Sequence, residues 1–103
     1  MSGQVLTEVS AIVTPEREAD LVAAYRELVA HTLPDGLMRT ELLGGQDGRW
    51  RIQTLWRDRA ALDVVRAAPQ GSAATRLFRG VGAEPALALF DVKARRIAQT
   101  QPI

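Results

Sequence analysis

The stretch Arg49-Trp50-Arg51-Ile52-Gln53-Thr54-Leu55-Trp56, running straight into Arg57-Asp58-Arg59-Ala60-Ala61-Leu62, sets the reading of the whole chain. Trp50, Ile52, Thr54 and Trp56 alternate with Arg49, Arg51, Gln53 and Leu55. Side chains of a strand point to alternate faces, so a period of two predicts a β-strand with one mainly apolar face. Asp58 is a favourable helix N-cap, because its carboxylate can accept a backbone N–H of the first turn, and the pattern after it becomes helical. The strand therefore delivers Trp56 to its C-terminal end, just where a helix departs. A ring there packs under the helix or lines a pocket beneath it.

Upstream, Val5 to Val13 reads as a first strand, with Val5, Thr7, Val9, Ala11 and Val13 on one face and Leu6, Glu8, Ser10 and Ile12 on the other. Thr14 is the expected cap of the next helix, with Pro15 at its first position and Glu16 and Glu18 suiting its positive start. Leu21, Tyr25 and Leu28 mark the buried stripe of that helix, and Leu33-Pro34-Asp35-Gly36 breaks it. Leu37 to Leu43 is a second strand, joined to the third by a Gly44-Gly45-Gln46-Asp47-Gly48 hairpin connection. Downstream, a helix from Arg59 to Ala68 buries Leu62 and Val65. A short helical piece from Ser72 to Arg79 carries Leu77 and Phe78. Pro85 to Lys93 is a fourth strand, with Ala86, Ala88, Phe90 and Val92 sharing one face.

The order β-α-β-β-α-β on one small antiparallel sheet predicts an α+β, ferredoxin-like fold with helices on one sheet face. A single domain over 1–103 is expected, with a core at about 5–93 and a tail at 94–103. A chain this short buries only roughly 65% of its unfolded surface, so an oligomer is plausible. The net charge of +1, with twelve arginines and Lys93 spread along the chain, gives no strong pull toward nucleic acid or anionic lipid. There is no cysteine and only one histidine, His31, which excludes a disulfide framework and a thiolate or multi-histidine metal site. No apolar run approaches the ~20 residues that cross a membrane, so a cytoplasmic protein is expected. The glycines sit in a hairpin and before the last strand, and make no phosphate cradle.

The face of the third strand opposite its tryptophans carries Arg51, Gln53 and Leu55, and a one-residue slip would bury two arginines. Leu6, Ile12, Leu87 and Leu89 are expected on the same open face. An apolar patch of this kind marks an interface, and the expectation is a homodimer in which Arg51 or Arg39 reaches Glu8 or Glu41 of the second copy.

The chain resembles the antibiotic biosynthesis monooxygenase family. The matching residues are Pro34-Asp35-Gly36-Leu37 opening strand two, Thr54-Leu55-Trp56-Arg57-Asp58 through Leu62, and Phe90-Asp91-Val92 closing strand four. The resemblance covers about residues 5–93. It implies a dimeric α+β barrel with a ligand cavity between sheet and helices in each subunit. Some members oxygenate aromatic polyketides with no cofactor, using a Trp that matches Trp56 and an Arg whose natural counterpart here is Arg76. Those members also use an Asn on strand three and a Tyr on helix two, where this chain has Ile52 and Leu62. Members that degrade haem use a His on helix two, where this chain offers Arg66.

On this footing Trp56 and Arg76 are the expected catalytic residues. Tyr25, Trp50, Thr54 and Phe78 are expected to bind a small aromatic substrate, and no cofactor or metal is expected. From the residues alone each has a plainer reading: Trp56, Trp50 and Tyr25 as core, Arg76 as an exposed cation whose stem covers its helix, His31 as a cation favoured by a helix C-terminus. The leading functional expectation is a cofactor-independent monooxygenase acting on an electron-rich phenolic or polyketide-like molecule. The alternatives are a non-catalytic dimeric binding or accessory module of the same fold, and an isomerase or cyclase.

Overall fold

The computed structural model describes residues 3–69 and 71–98. The elements are β1 (Val5–Ile12), a 3-10 turn (Pro15–Arg17), α1 (Glu18–Val29), β2 (Leu37–Gly44), β3 (Arg49–Trp56), α2 (Arg59–Ala67), α3 (Ala73–Gly80) and β4 (Ala86–Asp91). The four strands form one antiparallel sheet in the order β2-β3-β1-β4. The expected ferredoxin-like α+β fold is therefore the observed one, with α3 as the extra helical piece.

β3 occupies the residues its alternation marks out, and Asp58 caps α2 by accepting the Ala61 N–H at 2.8 Å. Ser72 caps α3 by accepting the Thr75 N–H at 3.4 Å. Thr14 departs from expectation, since it makes no side-chain cap bond. Pro15 instead opens a 3-10 turn, and α1 begins three residues later.

Val5, Thr7, Val9 and Ala11 of β1, with Ile52, Thr54 and Trp56 of β3, face the helices and are buried. The core they build is in two parts. One gathers Val9, Ala11, Val13 and Ile52 against Leu21 of α1 and Phe78 of α3. The other gathers Val5 and Trp56 against Ala61 and Leu62 of α2. Phe78 is fully enclosed, and burial of a side chain of that size is worth about 1.5–3 kcal/mol.

β4 corrects the expected face assignment. Its register sets Leu6 opposite Phe90, Thr7 opposite Leu89 and Val9 opposite Leu87. Paired residues share a face, so Leu87 and Leu89 turn toward the helices and Phe90 toward the open side. Leucine and alanine alternate evenly along this strand, and only its pairing with β1 decides which set is inside. β2 holds a bulge between Leu37 and Arg39. The extra residue places Leu37 and Arg39, two apart in sequence, opposite the consecutive residues Trp56 and Leu55, on opposite faces.

Candidate functional site

On the helix side of the sheet, Thr40 of β2, Thr54 of β3 and Thr7 of β1 lie directly opposite one another and form a row across three strands. Threonine is too short to reach the helices. The row thus leaves a space between the two parts of the core, a cavity of ≈370 Å³. Its walls combine Val9 and Ile52 from the first part with Trp56 and Leu62 from the second. Tyr25 and Leu28 of α1 close one side, and the 32–34 segment forms part of the rim.

The row is hydrogen-bonded along its length. The Tyr25 hydroxyl donates to Thr40 Oγ1 at 3.2 Å, and Thr40 Oγ1 lies 3.2 Å from Thr54 Oγ1. Thr7 Oγ1 donates to the Thr54 carbonyl at 3.4 Å and accepts the Trp56 indole N–H at 3.1 Å. Trp56 thus presents its ring to the cavity while its N–H is held by the sheet. The cavity floor is a hydroxyl strip set in an apolar, aromatic wall, which suits a flat molecule with one polar edge.

Two cations line the cavity, Arg66 near the end of α2 and Arg76 in the first turn of α3. They flank the connection between the helices. Arg76 Nη1 donates to the Gly71 carbonyl at 3.1 Å and so ties that connection to α3. Among the described residues no Asp, Glu or His lines the cavity, and none of the described residues gathers into a metal-binding cluster.

Of the residues expected at the site, Trp56, Thr54, Tyr25 and Arg76 are brought together around one cavity. Trp50 and Phe78 are not among its lining residues. Trp50 lies under Gly44 with its indole N–H donated to Glu18 Oε2 at 2.8 Å, joining β3 to the start of α1. Phe78 belongs to the core between α3 and β1. Thr7, Thr40 and Arg66 were not anticipated. His31 lies outside the cavity, exposed just past the C-terminal end of α1, 3.0 Å from Glu27 Oε1. Ile52 and Leu62 both line the cavity, so the two places where the chain departs from the resembled pattern add apolar wall in place of polar donors.

The family model for antibiotic biosynthesis monooxygenases matches residues 5–76. None of the curated proteins matches the sequence. Among solved structures, SnoaB, a cofactor-independent oxygenase from Streptomyces nogalater, is 18% identical, with a TM-score of 0.72 over 91% of this chain and 97% of that one. A Deinococcus radiodurans protein is 15% identical, with a TM-score of 0.73 over 93% and 99% of the two chains. Rv0793 from Mycobacterium tuberculosis is 19% identical, with a TM-score of 0.67 over 89% and 97%. At these identities the likeness is one of fold.

Proposed function

The chain belongs to the antibiotic biosynthesis monooxygenase family, and on that premise we propose that it is a cofactor-independent monooxygenase of an electron-rich phenolic, polyketide-like small molecule. The observation that carries this reading is the cavity: ≈370 Å³, walled by Trp56 and Leu62 and floored by the Tyr25–Thr40–Thr54 hydroxyls. A fused-ring phenol with an activated methylene fits such a space. Loss of one methylene proton to solvent before entry leaves a carbanion delocalised onto the oxygen of the conjugated ring ketone. That anion reduces dioxygen and forms a C–O bond, giving a peroxide. Loss of the second methylene proton with cleavage of the O–O bond leaves a carbonyl and water. The sum, CH2 plus O2 giving C=O plus H2O, balances with the substrate as the only reductant. Trp56 packs the ring system, Arg76 stabilises the oxyanion, and the Thr40–Thr54 hydroxyls into which Tyr25 donates supply the proton for the polar edge. Oxygen uptake by metal-free protein with an anthrone is the test. Absence of turnover over a panel of such phenols sinks the reading.

The second reading, a non-catalytic binding module, is favoured by one observation: neither a carboxylate nor an imidazole lines the cavity among the described residues. A small molecule retained by the purified protein, without oxygen uptake, distinguishes it from the enzyme.

A homodimer across the open sheet face belongs to the same proposal. Ile12 and Phe90 are 54% and 49% exposed there, beside Leu6 and Leu43, while Leu55 on the same face is already buried within the subunit. The charges on that face pair within the subunit, Arg39 with Glu41 at 3.2 Å and Arg51 with Glu8 at 3.8 Å. A second copy can therefore cover the apolar groups without breaking an ion pair. Light scattering at micromolar concentration is expected to give the mass of two chains, and Phe90→Glu, at an exposed position of that face, to weaken the association. A monomer under those conditions contradicts it.

A further inference from the structure

We infer that the cavity takes its ligand as an aromatic anion, already ionised when it binds, and that Arg66, in addition to the Arg76 assigned to the oxyanion, is the cation that selects for that charge. The inference rests on the reading of the cavity as a small-molecule site and goes on to the charge state of what enters it.

The polar groups around the cavity are of one kind. They are threonine, serine and tyrosine hydroxyls, an indole N–H and two guanidinium groups, with no carboxylate or imidazole among the described residues. A cationic ligand finds no counter-charge here and meets two arginines of its own sign. A neutral ligand is served by the hydroxyl strip alone. An anion gains the hydroxyl donors and a cation as well, in a space whose aromatic and aliphatic walls keep the attraction less screened than in bulk water. The absence of a base points the same way. Among the described residues no carboxylate or imidazole lines the cavity to remove a proton from a neutral phenol, so a ligand needed as an anion arrives as one.

The two arginines are not equivalent. Arg76 is engaged by the Gly71 carbonyl at 3.1 Å, where it holds the connection between α2 and α3. Arg66 makes no hydrogen bond or ion pair among the described residues, although Asp63 lies one turn before it on α2. Asp63 is taken by Arg59, at 3.1 Å. An exposed, unpaired cation at the mouth of an apolar cavity costs little to keep in water and is ready to pair with a charge that the cavity half encloses. Its guanidinium fork suits the two oxygens of a carboxylate or of a vinylogous acid.

A matched pair of probes tests this without turnover. 2-Hydroxy-1,4-naphthoquinone is a vinylogous acid, ionised at neutral pH, and 2-methoxy-1,4-naphthoquinone is its neutral ether. Isothermal titration under argon is expected to show the anion bound roughly tenfold more tightly than the ether. Arg66→Gln, on an exposed helix position where the fold does not depend on it, is expected to close that gap by weakening the anion alone, and Arg66→Lys to restore part of it. Rising salt narrows the gap in the parent protein. Equal affinity for both probes overturns the charge selection while leaving the cavity a ligand site. A gap that survives Arg66→Gln overturns the assignment to Arg66. Failure of both probes to bind overturns this inference together with the reading on which it rests.

Discussion

The indole N–H of Trp56 donates to Thr7 Oγ1 at 3.1 Å, diagonally across the pairing of β1 and β3. Both residues are buried, at 5% and 8% exposure, so neither polar group has water as a ready substitute. The contact fixes the ring that forms the cavity wall. Thr7→Val keeps the shape and removes the acceptor. The orphaned N–H is expected to cost about 1–3 kcal/mol, read as a lower urea midpoint at unchanged slope. An unchanged midpoint would show that the ring is held by packing alone.

Tyr25 is only partly buried, and its partner Thr40 keeps a second contact to Thr54. Tyr25→Phe is therefore expected to cost under about 1 kcal/mol of stability. The loss should appear instead in ligand affinity, reduced about fivefold for a phenolic ligand and little for its hydrocarbon analogue. Equal losses for both ligands would mean that the ring, and not the hydroxyl, makes the contact.

Trp50 gives the opposite pattern. Its N–H is held by Glu18 at 2.8 Å and its ring lies under Gly44, away from the cavity lining. Trp50→Phe is expected to lower stability by about 1–2 kcal/mol and to leave ligand affinity within about twofold. A large fall in affinity with stability intact would restore Trp50 to the binding site.

Asp47 in the β2–β3 connection has its pKa lowered from 3.8, first by the hydrogen bond its carboxylate accepts from the Arg49 N–H. A lowered folded-state value stabilises the protein above the unfolded carboxylate range, and the contribution is lost as pH falls through the folded value. Asp47→Ala is thus expected to lower the urea midpoint at pH 7, with the difference from the parent shrinking as the pH falls below the unfolded carboxylate range. A difference that is constant across this range would assign the effect to turn geometry alone.

Most of the fold is legible along the chain because its signals are local. The alternation from Arg49 to Trp56, the caps at Asp58 and Ser72 and the breaks at Pro34 and Gly71 each act within a few residues. What local signals miss is pairing. The even Leu/Ala alternation of β4 turns Leu87 and Leu89 to the helix side only through its register with β1. The site divides the same way. Thr40 opposite Thr54 follows from the β2–β3 hairpin and was open to inference from it. Thr7 joins the row through the β1–β3 pairing, which brings together residues 47 positions apart. Arg66 carries no local mark at all, since an arginine late in an exposed helix face is ordinary. Only the cavity gives it meaning. Trp50 and Trp56 share a strand face, and sequence could not foresee that Glu18 would claim one of them.

The threonine row has a further consequence in its proton count. With Tyr25 donating to Thr40, one link remains between Thr40 and Thr54, and either hydroxyl can supply its proton. The other proton is then unspent, on Thr54 in one arrangement and on Thr40 in the other. These positions sit on neighbouring strands, ~4.8 Å apart. A bound molecule can slide sideways by one strand and still find a donor waiting, because the row re-polarises by rotating two hydroxyls and moving no heavy atom. Such a floor reads the edge of its guest by chemistry and is indifferent to its exact berth, which allows molecules of different outline to be held equally well.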